Sequence, residues 1–237
     1  MVRRNEGLLM RWWQRLGFGR AESAADAAPA AGGGKAQEGR YYVLDASLWR
    51  DGIGPGLEFT NEARLILPGR YTMELPDGRP DPYPERPQLH HVPEEGGPPR
   101  DFEIKAGIWI ITDPLKRIFE RVDPQGFAFA DCDYLLPDGS PGPRRYLCAV
   151  VRMLDALDVP ASRVKVKPEW DFVAEREDKV YSVLGGGSLV FRPEIVGDAH
   201  VFIQDRLGTG PICDRVMFDA LTAAKLDGVQ LRDVAAL

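Results

Sequence analysis

The sequence has few of the residues that build metal centres or disulfide frameworks. Its 237 residues include only three cysteines and three histidines. The cysteines have no C-x-x-C spacing, and two of the histidines, His90 and His91, are adjacent. Asp131, Asp133 and Asp138 lack the spacing of a calcium-binding loop. We therefore predict no metal site, and the odd, sparse set of cysteines favours reduced thiols and a cytoplasmic protein.

Long apolar runs are also missing. The longest runs fall far short of the roughly 20 residues that a helix needs to cross a bilayer. The first residues contain no continuous apolar stretch followed by a small-residue cleavage site. We expect neither a transmembrane helix nor a secretory signal.

The sequence contains none of the common motifs of nucleophilic or phosphate chemistry. There is no G-x-S-x-G elbow and no G-x-x-x-x-G-K-[ST] loop. Three glycines at residues 185–187 precede a strand-like segment, so we interpret them as the turn of a hairpin joining residues 179–184 and 188–191. The aspartates that flank Cys132 disfavour its thiolate. We predict no catalytic residues and no cofactor.

Positive charge is concentrated at the N-terminus. Residues 1–20 contain five arginines and one glutamate, and residues 21–39 are rich in alanine and glycine. We predict that residues 1–39 form a basic amphipathic arm and a flexible linker, and that residues 40–237 form one domain. The arm is expected either to touch a membrane surface or a partner, or to pack against the domain. Its apolar residues have helical spacing: Leu8, Leu9, Trp12, Trp13 and Leu16.

The remaining residues are acidic. Residues 1–39 contain six basic and four acidic side chains, so the rest of the chain has a net charge of −8. Nucleic acid is disfavoured as a direct ligand, because phosphate contacts require clustered lysine and arginine. A basic protein is the better match for such a surface.

Residues 107–133 predict a strand, a helix and a second strand. Residues 108–111 are a short apolar run, Thr112 or Asp113 can cap a helix, and Pro114 suits its first turn. A helix of about ten residues is marginal alone, so it must be held by packing on its strands. The predicted buried stripe is Leu115, Ile118, Phe119 and Val122.

The C-terminal part repeats this order weakly. Residues 199–203 are strand-like, Pro211 is expected to open a helix, and residues 228–231 alternate like a strand. The ends also match, with PQGFAF in one unit and LDGVQL in the other. We predict an α+β fold with a mixed β-sheet and packed helices, built from two similar strand-helix-strand units on one sheet.

Other segments are assigned by local pattern. We predict a long irregular loop at residues 76–100, because its many prolines lack an amide donor. The pattern of residues 146–157 fits a helix, although residues 146–151 could equally be a buried strand. Further strands are predicted at residues 41–44, 63–67, 71–75 and 164–166.

Three tracts together resemble a known family. They are ITDPLKRIFERVDPQGFAF, YLCAVVRMLDALDVPAS, and VFIQDRL followed by CDRVMFDALTAAKLDGVQL. In this order they resemble the immunity proteins of bacterial polymorphic toxin systems, in the group first catalogued as a domain of unknown function and typified by a Myxococcus protein. The resemblance covers roughly residues 41–234. The sequence departs from the family pattern at GTGPIC, residues 208–213, where family members tend to run directly from strand to helix.

The resemblance implies a non-enzymatic cytoplasmic protein that binds a cognate toxin domain, often a nuclease, and blocks it. It supplies no binding residues, so we take the candidate surface from the long loop, where carboxylates flank an aromatic residue. The alternatives are a metal-dependent hydrolase and a scaffold domain targeted by its basic arm. The candidate partner-binding residues are Asp81, Tyr83, Glu85, Glu94 and Glu95.

Overall fold

The computed structural model describes residues 37–47, 54–171 and 175–237. The predicted basic arm, and the linker as far as residue 36, lie outside the described residues. The described part contains two β-sheets, a separate two-stranded ribbon and helices of four to ten residues. Mixed sheets with few, packed helices fit the predicted α+β class or a mostly-β fold, but the strands form two mixed sheets and not the single sheet that was predicted.

The larger sheet has six strands. Its members are β2 (Leu57–Phe59), β3 (Gln88–His91), β4 (Phe102–Lys105), β5 (Ile108–Thr112), β6 (Phe127–Leu135) and β7 (Arg145–Val150). Their order across the sheet is β2-β3-β6-β7-β5-β4. The β3–β6 pair is parallel and the other neighbouring pairs are antiparallel. Strand β2 is therefore the terminal strand on one side of this sheet.

The smaller sheet has five strands, and the ribbon stands apart from both sheets. The sheet strands are β1 (Tyr41–Ala46), β8 (Met153–Leu154), β11 (Val201–Gln204), β12 (Ile212–Asp214) and β13 (Val229–Asp233), and the ribbon strands are β9 (Lys165–Asp171) and β10 (Arg176–Ser182). The order in the sheet is β13-β1-β12-β11-β8, with only the β11–β8 pair parallel.

Two longer helices and two single-turn helices accompany the strands in the described ranges. They are α1 (Glu62–Leu65), α2 (Asp113–Val122), α3 (Pro193–Val196) and α4 (Arg215–Ala224). None of them has the length and apolarity required to span a membrane.

The predicted unit at residues 107–133 is confirmed as β5, α2 and β6. Helix α2 buries Leu115, Ile118 and Phe119 and has Pro114 in its first turn. The predicted cap is not formed by Thr112, whose hydroxyl donates to Asp101 instead. Strand β7 lies between β5 and β6 and pairs antiparallel with both. The amphipathic stripe thus predicts the helix and most of its buried face, although Val122 is only partly buried.

The second predicted unit is wrong in its details. Pro211 does not open the helix, because Ile212–Asp214 forms strand β12 between β1 and β11. Helix α4 begins at Arg215, where the Asp214 side chain accepts a hydrogen bond from the Met217 amide at 3.0 Å. Val216 in the first turn of this helix is apolar but 52% exposed. Sheet pairing prevails over helical spacing here, so the repeat is not confirmed as predicted.

Several local assignments are also corrected. Residues 63–67, predicted as a strand, lie mainly in helix α1, and residues 71–75 are irregular. The predicted loop at residues 76–100 contains strand β3, which is stabilised by pairing with β2 and β6. The open choice at residues 146–151 is resolved as strand β7, because both of its neighbours in the sheet pair with it.

The glycines at residues 185–187 do not form the predicted hairpin. Strand β10 pairs with β9, which precedes it in the chain. Ser188 makes an isolated bridge with Arg163, and Phe191 makes one with Leu157. The glycine turn instead contacts the C-terminus, where Gly187 and Leu237 exchange two backbone hydrogen bonds of 2.8 and 3.0 Å.

The main hydrophobic core lies between the two sheets. Helices α2 and α4 pack against each other and contribute to the same cluster as residues of both sheets. A second cluster joins the five-stranded sheet to the base of the ribbon, and a third lies under the loop before β3. Prominent members of the main cluster are Tyr42, Phe102, Trp109, Phe119, Val201, Cys213 and Met217.

Candidate partner-binding surface

The aromatic residue of the predicted surface is buried. The side chain of Tyr83 is within the third core cluster, and the residue is only 8% exposed. Its hydroxyl donates a hydrogen bond to the Glu74 carbonyl at 2.7 Å, and burial raises its pKa. Tyr83 therefore holds the loop on the core and offers little surface to a partner.

Glu85 is committed to a contact within the chain. Its carboxylate accepts hydrogen bonds from Asn61 Nδ2 at 2.6 Å and from Arg64 Nε at 2.8 Å, and these bonds lower its pKa. Asn61 also accepts a hydrogen bond from the Gln88 amide, so this group joins the start of α1 to β3. Asp81, four residues before Glu85 in the sequence, is exposed.

Glu94 and Glu95 are exposed on a tightly built turn after β3. The Glu95 amide donates to the Val92 carbonyl at 3.0 Å, and the Val92 amide donates to the Gly56 carbonyl at 2.8 Å. Gly96 passes so close to the chain before β2 that a Cβ there would lie 1.9 Å from the Gly54 carbonyl oxygen. Only glycine fits at this crossing, so the turn is held in one position.

The turn brings Glu95 to Glu58 on the terminal strand β2. The interaction with the Glu58 carboxyl group raises the pKa of Glu95, and the charge of Glu94 acts in the same direction, against that of Lys105. Glu58 is exposed and lies opposite His90 in the β2–β3 ladder. We call Glu58, Glu94 and Glu95 the acidic edge.

The structure therefore separates the predicted residues into two groups. Glu94 and Glu95 adjoin the first residues of β2, whereas Glu85 adjoins Asn61 after the last one. The three-residue strand β2 lies between the two groups. Only the acidic edge combines exposure with clustered like charges.

The model of an immunity protein family, Imm11, matches residues 40–236. The chain belongs to the immunity protein family Imm11. A search of curated proteins found no match. Membership in Imm11 indicates a role in neutralising a toxin, with a toxin protein as the partner.

Two aspartates on β6 of this Imm11 chain are paired with arginines. Asp131 lies 3.0 Å from Arg144, and Asp133 lies 3.0 Å from Arg86. Asp138 instead closes a turn by accepting hydrogen bonds from the Ser140 amide and hydroxyl. Within the described ranges, no group of three or more histidine, cysteine or acidic residues is placed to hold a metal ion.

All three cysteines are buried free thiols. Burial raises the pKa of Cys132 to about 12 and also raises the pKa values of Cys148 and Cys213. Buried thiols of this kind are poor nucleophiles, because the thiolate is the reactive form. In the core they act as small apolar residues.

A cleft of about 430 Å³ opens beside the end of α2. Asp123 in this cleft accepts hydrogen bonds from both terminal nitrogens of Arg152 and from the His200 and Val201 amides. The His200 ring lies 2.8 Å from Asp214, which also caps α4. These polar groups bond to one another, so the cleft ties α2 to the five-stranded sheet.

Two exposed aromatic residues were missed by sequence reasoning. Tyr71 is 90% exposed in the loop before β3, where a strand was predicted. Trp170 is 49% exposed on the ribbon. The ribbon sequences KVKPEWD and REDKVYS consist mainly of charged residues, so an isolated tryptophan among them was a signal for a surface aromatic residue.

Proposed function

We propose that this Imm11 chain neutralises its toxin by stoichiometric binding, without chemistry of its own, and that the acidic edge contacts basic side chains of the toxin domain. The observation that carries the proposal is the approach of Glu95, on a turn that Gly96 holds in place, to Glu58 on β2. Like charges in contact destabilise the free protein slightly. A lysine or arginine from a partner removes that repulsion on binding.

The charge of the domain supports a basic partner. Outside the first 39 residues the chain has a net charge of −8. A toxin that acts on nucleic acid must itself be basic to hold phosphates, so a nuclease domain is the toxin class we propose. Complementary charge accelerates association and disfavours wrong partners. We further propose that binding takes place in the cytoplasm, where the toxin would meet its target.

The remaining loop residues have different proposed roles. Asp81 is exposed and is a candidate for a peripheral contact. Glu85 positions the loop through Asn61 and Arg64, and Tyr83 packs beneath it. The direct contact is therefore assigned to the acidic edge alone.

The proposal is tested first by co-expression. The full chain is produced together with the C-terminal domains of large toxin-like proteins from the same genome, and growth rescue is scored together with co-elution in size-exclusion chromatography. Rescue with a 1:1 complex supports the proposal. Toxicity without rescue or binding for every such domain contradicts it, and rescue without a stable complex contradicts stoichiometric binding.

The acidic edge is tested by charge reversal. Replacing Glu94 and Glu95 with lysine should slow, by about tenfold at low salt, association with the toxin domain that the wild-type chain neutralises. The difference from wild type should shrink in 0.5 M salt, because exposed charges are then screened. The matched control reverses Glu194 and Asp198, which are exposed near helix α3. An equal loss in the control would indicate a general charge effect and not a contact at the acidic edge.

A further inference from the structure

The ribbon formed by β9 and β10 extends beyond the core that anchors it. Tyr181 and Val166 are opposite each other and belong to the second hydrophobic cluster. On the same face, Pro168 lies opposite Lys179, and the next pair outward is Trp170 and Glu177. Successive side chains of a strand alternate between faces, so Trp170 lies on the same face of the ribbon as Val166, about 13 Å further along the strand.

The base of the ribbon is fixed to the domain. The Tyr181 amide donates to the Arg206 carbonyl at 2.8 Å, and the Gly208 amide donates to the Tyr181 carbonyl at 3.2 Å. The Arg206 guanidinium lies 3.7 Å from Asp178 on the ribbon and 3.1 Å from Asp155 on the body of the domain. An isolated two-stranded ribbon is marginally stable, and these contacts hold it in a defined direction.

Trp170 is the large aromatic side chain at the outer part of this face. It is 49% exposed, so core packing does not account for a side chain of this size. Exposed tryptophans are common among the residues that contribute most to binding at protein interfaces. A tryptophan at this position therefore indicates an interface.

The neighbours of Trp170 indicate the chemistry of the partner. Directly opposite residues of antiparallel strands have Cβ atoms about 5 Å apart, which places the exposed Glu177 beside the indole. An aromatic face next to a carboxylate is a receptor for a cation, because the ring quadrupole and the negative charge both attract it. In the part of the chain that the structure describes, none of the cation–π contacts involves Trp170.

We propose that Trp170 and Glu177 together bind a lysine or arginine side chain of the toxin domain, as a second contact separate from the acidic edge. This inference rests on the proposed function and assigns a further surface to it. The occupant is a basic side chain of the toxin, because the pair combines an aromatic face with a negative charge.

The test measures the affinity of full-length variants for the toxin domain whose toxicity the wild-type chain suppresses in co-expression. Trp170→Ala should raise Kd at least about 30-fold, the size typical of a residue that dominates an interface. Trp170→Phe keeps an aromatic face and should stay within about fivefold of wild type. Glu177→Gln should raise Kd about fivefold at low salt and less at high salt.

The matched control is Leu184→Ala. Leu184 is a large apolar residue, 77% exposed, just beyond the end of β10. It should leave Kd unchanged, and all variants should keep the unfolding midpoint of the wild type, because every altered side chain is at the surface. A Trp170→Ala variant that folds and binds as tightly as wild type overturns this inference and leaves the proposed function intact.

Two further outcomes overturn the inference in other ways. If the free wild-type chain is a dimer by light scattering and Trp170→Ala is a monomer with unchanged toxin affinity, the ribbon binds a second copy of the chain. If the wild-type chain neither rescues nor binds any toxin domain tested, the proposed function fails and this inference fails with it.

Discussion

Glu95, on the turn after β3, lies beside Glu58 on β2, the terminal strand of the six-stranded sheet, and the interaction with Glu58 raises the pKa of Glu95. Two exposed carboxylates gain nothing from this arrangement in the free protein at neutral pH, because like charges repel. The tight packing of Gly56 against Gly96 holds the turn that maintains it. A site that is unfavourable alone and rigidly positioned is expected where a cation will be bound.

Glu95→Gln should separate stability from binding. Glutamine keeps a hydrogen bond to Glu58 and removes the repulsion, so the urea midpoint of unfolding at pH 7 should rise slightly while toxin affinity falls. The raised pKa of Glu95 fixes the direction in which stability changes with pH. Its contribution to stability is complete below the ordinary glutamate pKa, about 4.3, and is lost as pH rises through the higher folded value.

This pH dependence is checked by measuring the unfolding midpoints of Glu95→Gln and wild type from pH 4 to pH 7. The variant should show the flatter profile, and Glu194→Gln serves as the exposed control. A midpoint at pH 7 below that of wild type would contradict the repulsion between Glu58 and Glu95.

Gly96→Ala should destabilise the domain and loosen the acidic edge. The added Cβ would lie 1.9 Å from the Gly54 carbonyl oxygen, so the backbone must move. Overpacking of this kind costs about 1–3 kcal/mol of unfolding free energy. Gly208→Ala is the matched control, because nothing lies within 4 Å of its added Cβ. Chemical denaturation measures both variants, and equal stabilities would show that the crossing at Gly96 is not tight.

Asp123→Ala should be among the most destabilising single changes. Asp123 joins α2 to β11 and Arg152, and its removal leaves a largely buried guanidinium without its carboxylate. The expected loss is on the order of 3 kcal/mol of unfolding free energy. Asp198→Ala, an exposed change in the same cleft, should stay within about 0.5 kcal/mol of wild type. Urea denaturation distinguishes the two.

The same carboxylate should contribute to acid sensitivity. Burial alone would raise the pKa of Asp123, but the hydrogen bonds from Arg152, His200 and Val201 outweigh it and lower the pKa. Stability from this group is therefore present above the ordinary aspartate pKa, about 3.9, and is lost as pH falls through the lower folded value. Asp123→Asn should unfold with a weaker dependence on pH below about pH 4. A profile as steep as that of wild type would assign the acid sensitivity to other groups.

The three thiols should be unreactive in the folded protein. With a pKa of about 12, Cys132 is ionised in only about one molecule in ten thousand at pH 8. Cys148 and Cys213 have raised pKa values for the same reason. Ellman's reagent should label no thiol in native buffer and all three in urea. Rapid labelling of one thiol in native buffer would show that its site opens.

Local pattern was sufficient for one part of the fold. The β5-α2-β6 unit follows from an apolar run, a proline in the first helical turn and a stripe at helical spacing. All of these signals lie within one continuous segment. The burial of Leu115, Ile118 and Phe119 therefore required no knowledge of distant residues.

Local pattern failed where distant strands compete for a segment. Ile212 has helical spacing with the residues after it, yet it joins β12 because Val43 and Phe202 pair with it from the two sides. Tyr83 is flanked by charged and proline residues, yet it is buried by the loop that folds over the third cluster. Such outcomes depend on partners far away in the sequence.

The sequence by itself determined the acidic balance of the domain, the amphipathic helix α2 and the resemblance to immunity proteins, because these depend on composition and on short-range order. Only the tertiary structure decided which carboxylates meet and which aromatic residues remain at the surface. Glu58 and Glu95 come together because β2 pairs with β3, and Trp170 is exposed because the ribbon extends past its core. Contact and burial are set by packing between distant segments, which a linear pattern does not specify.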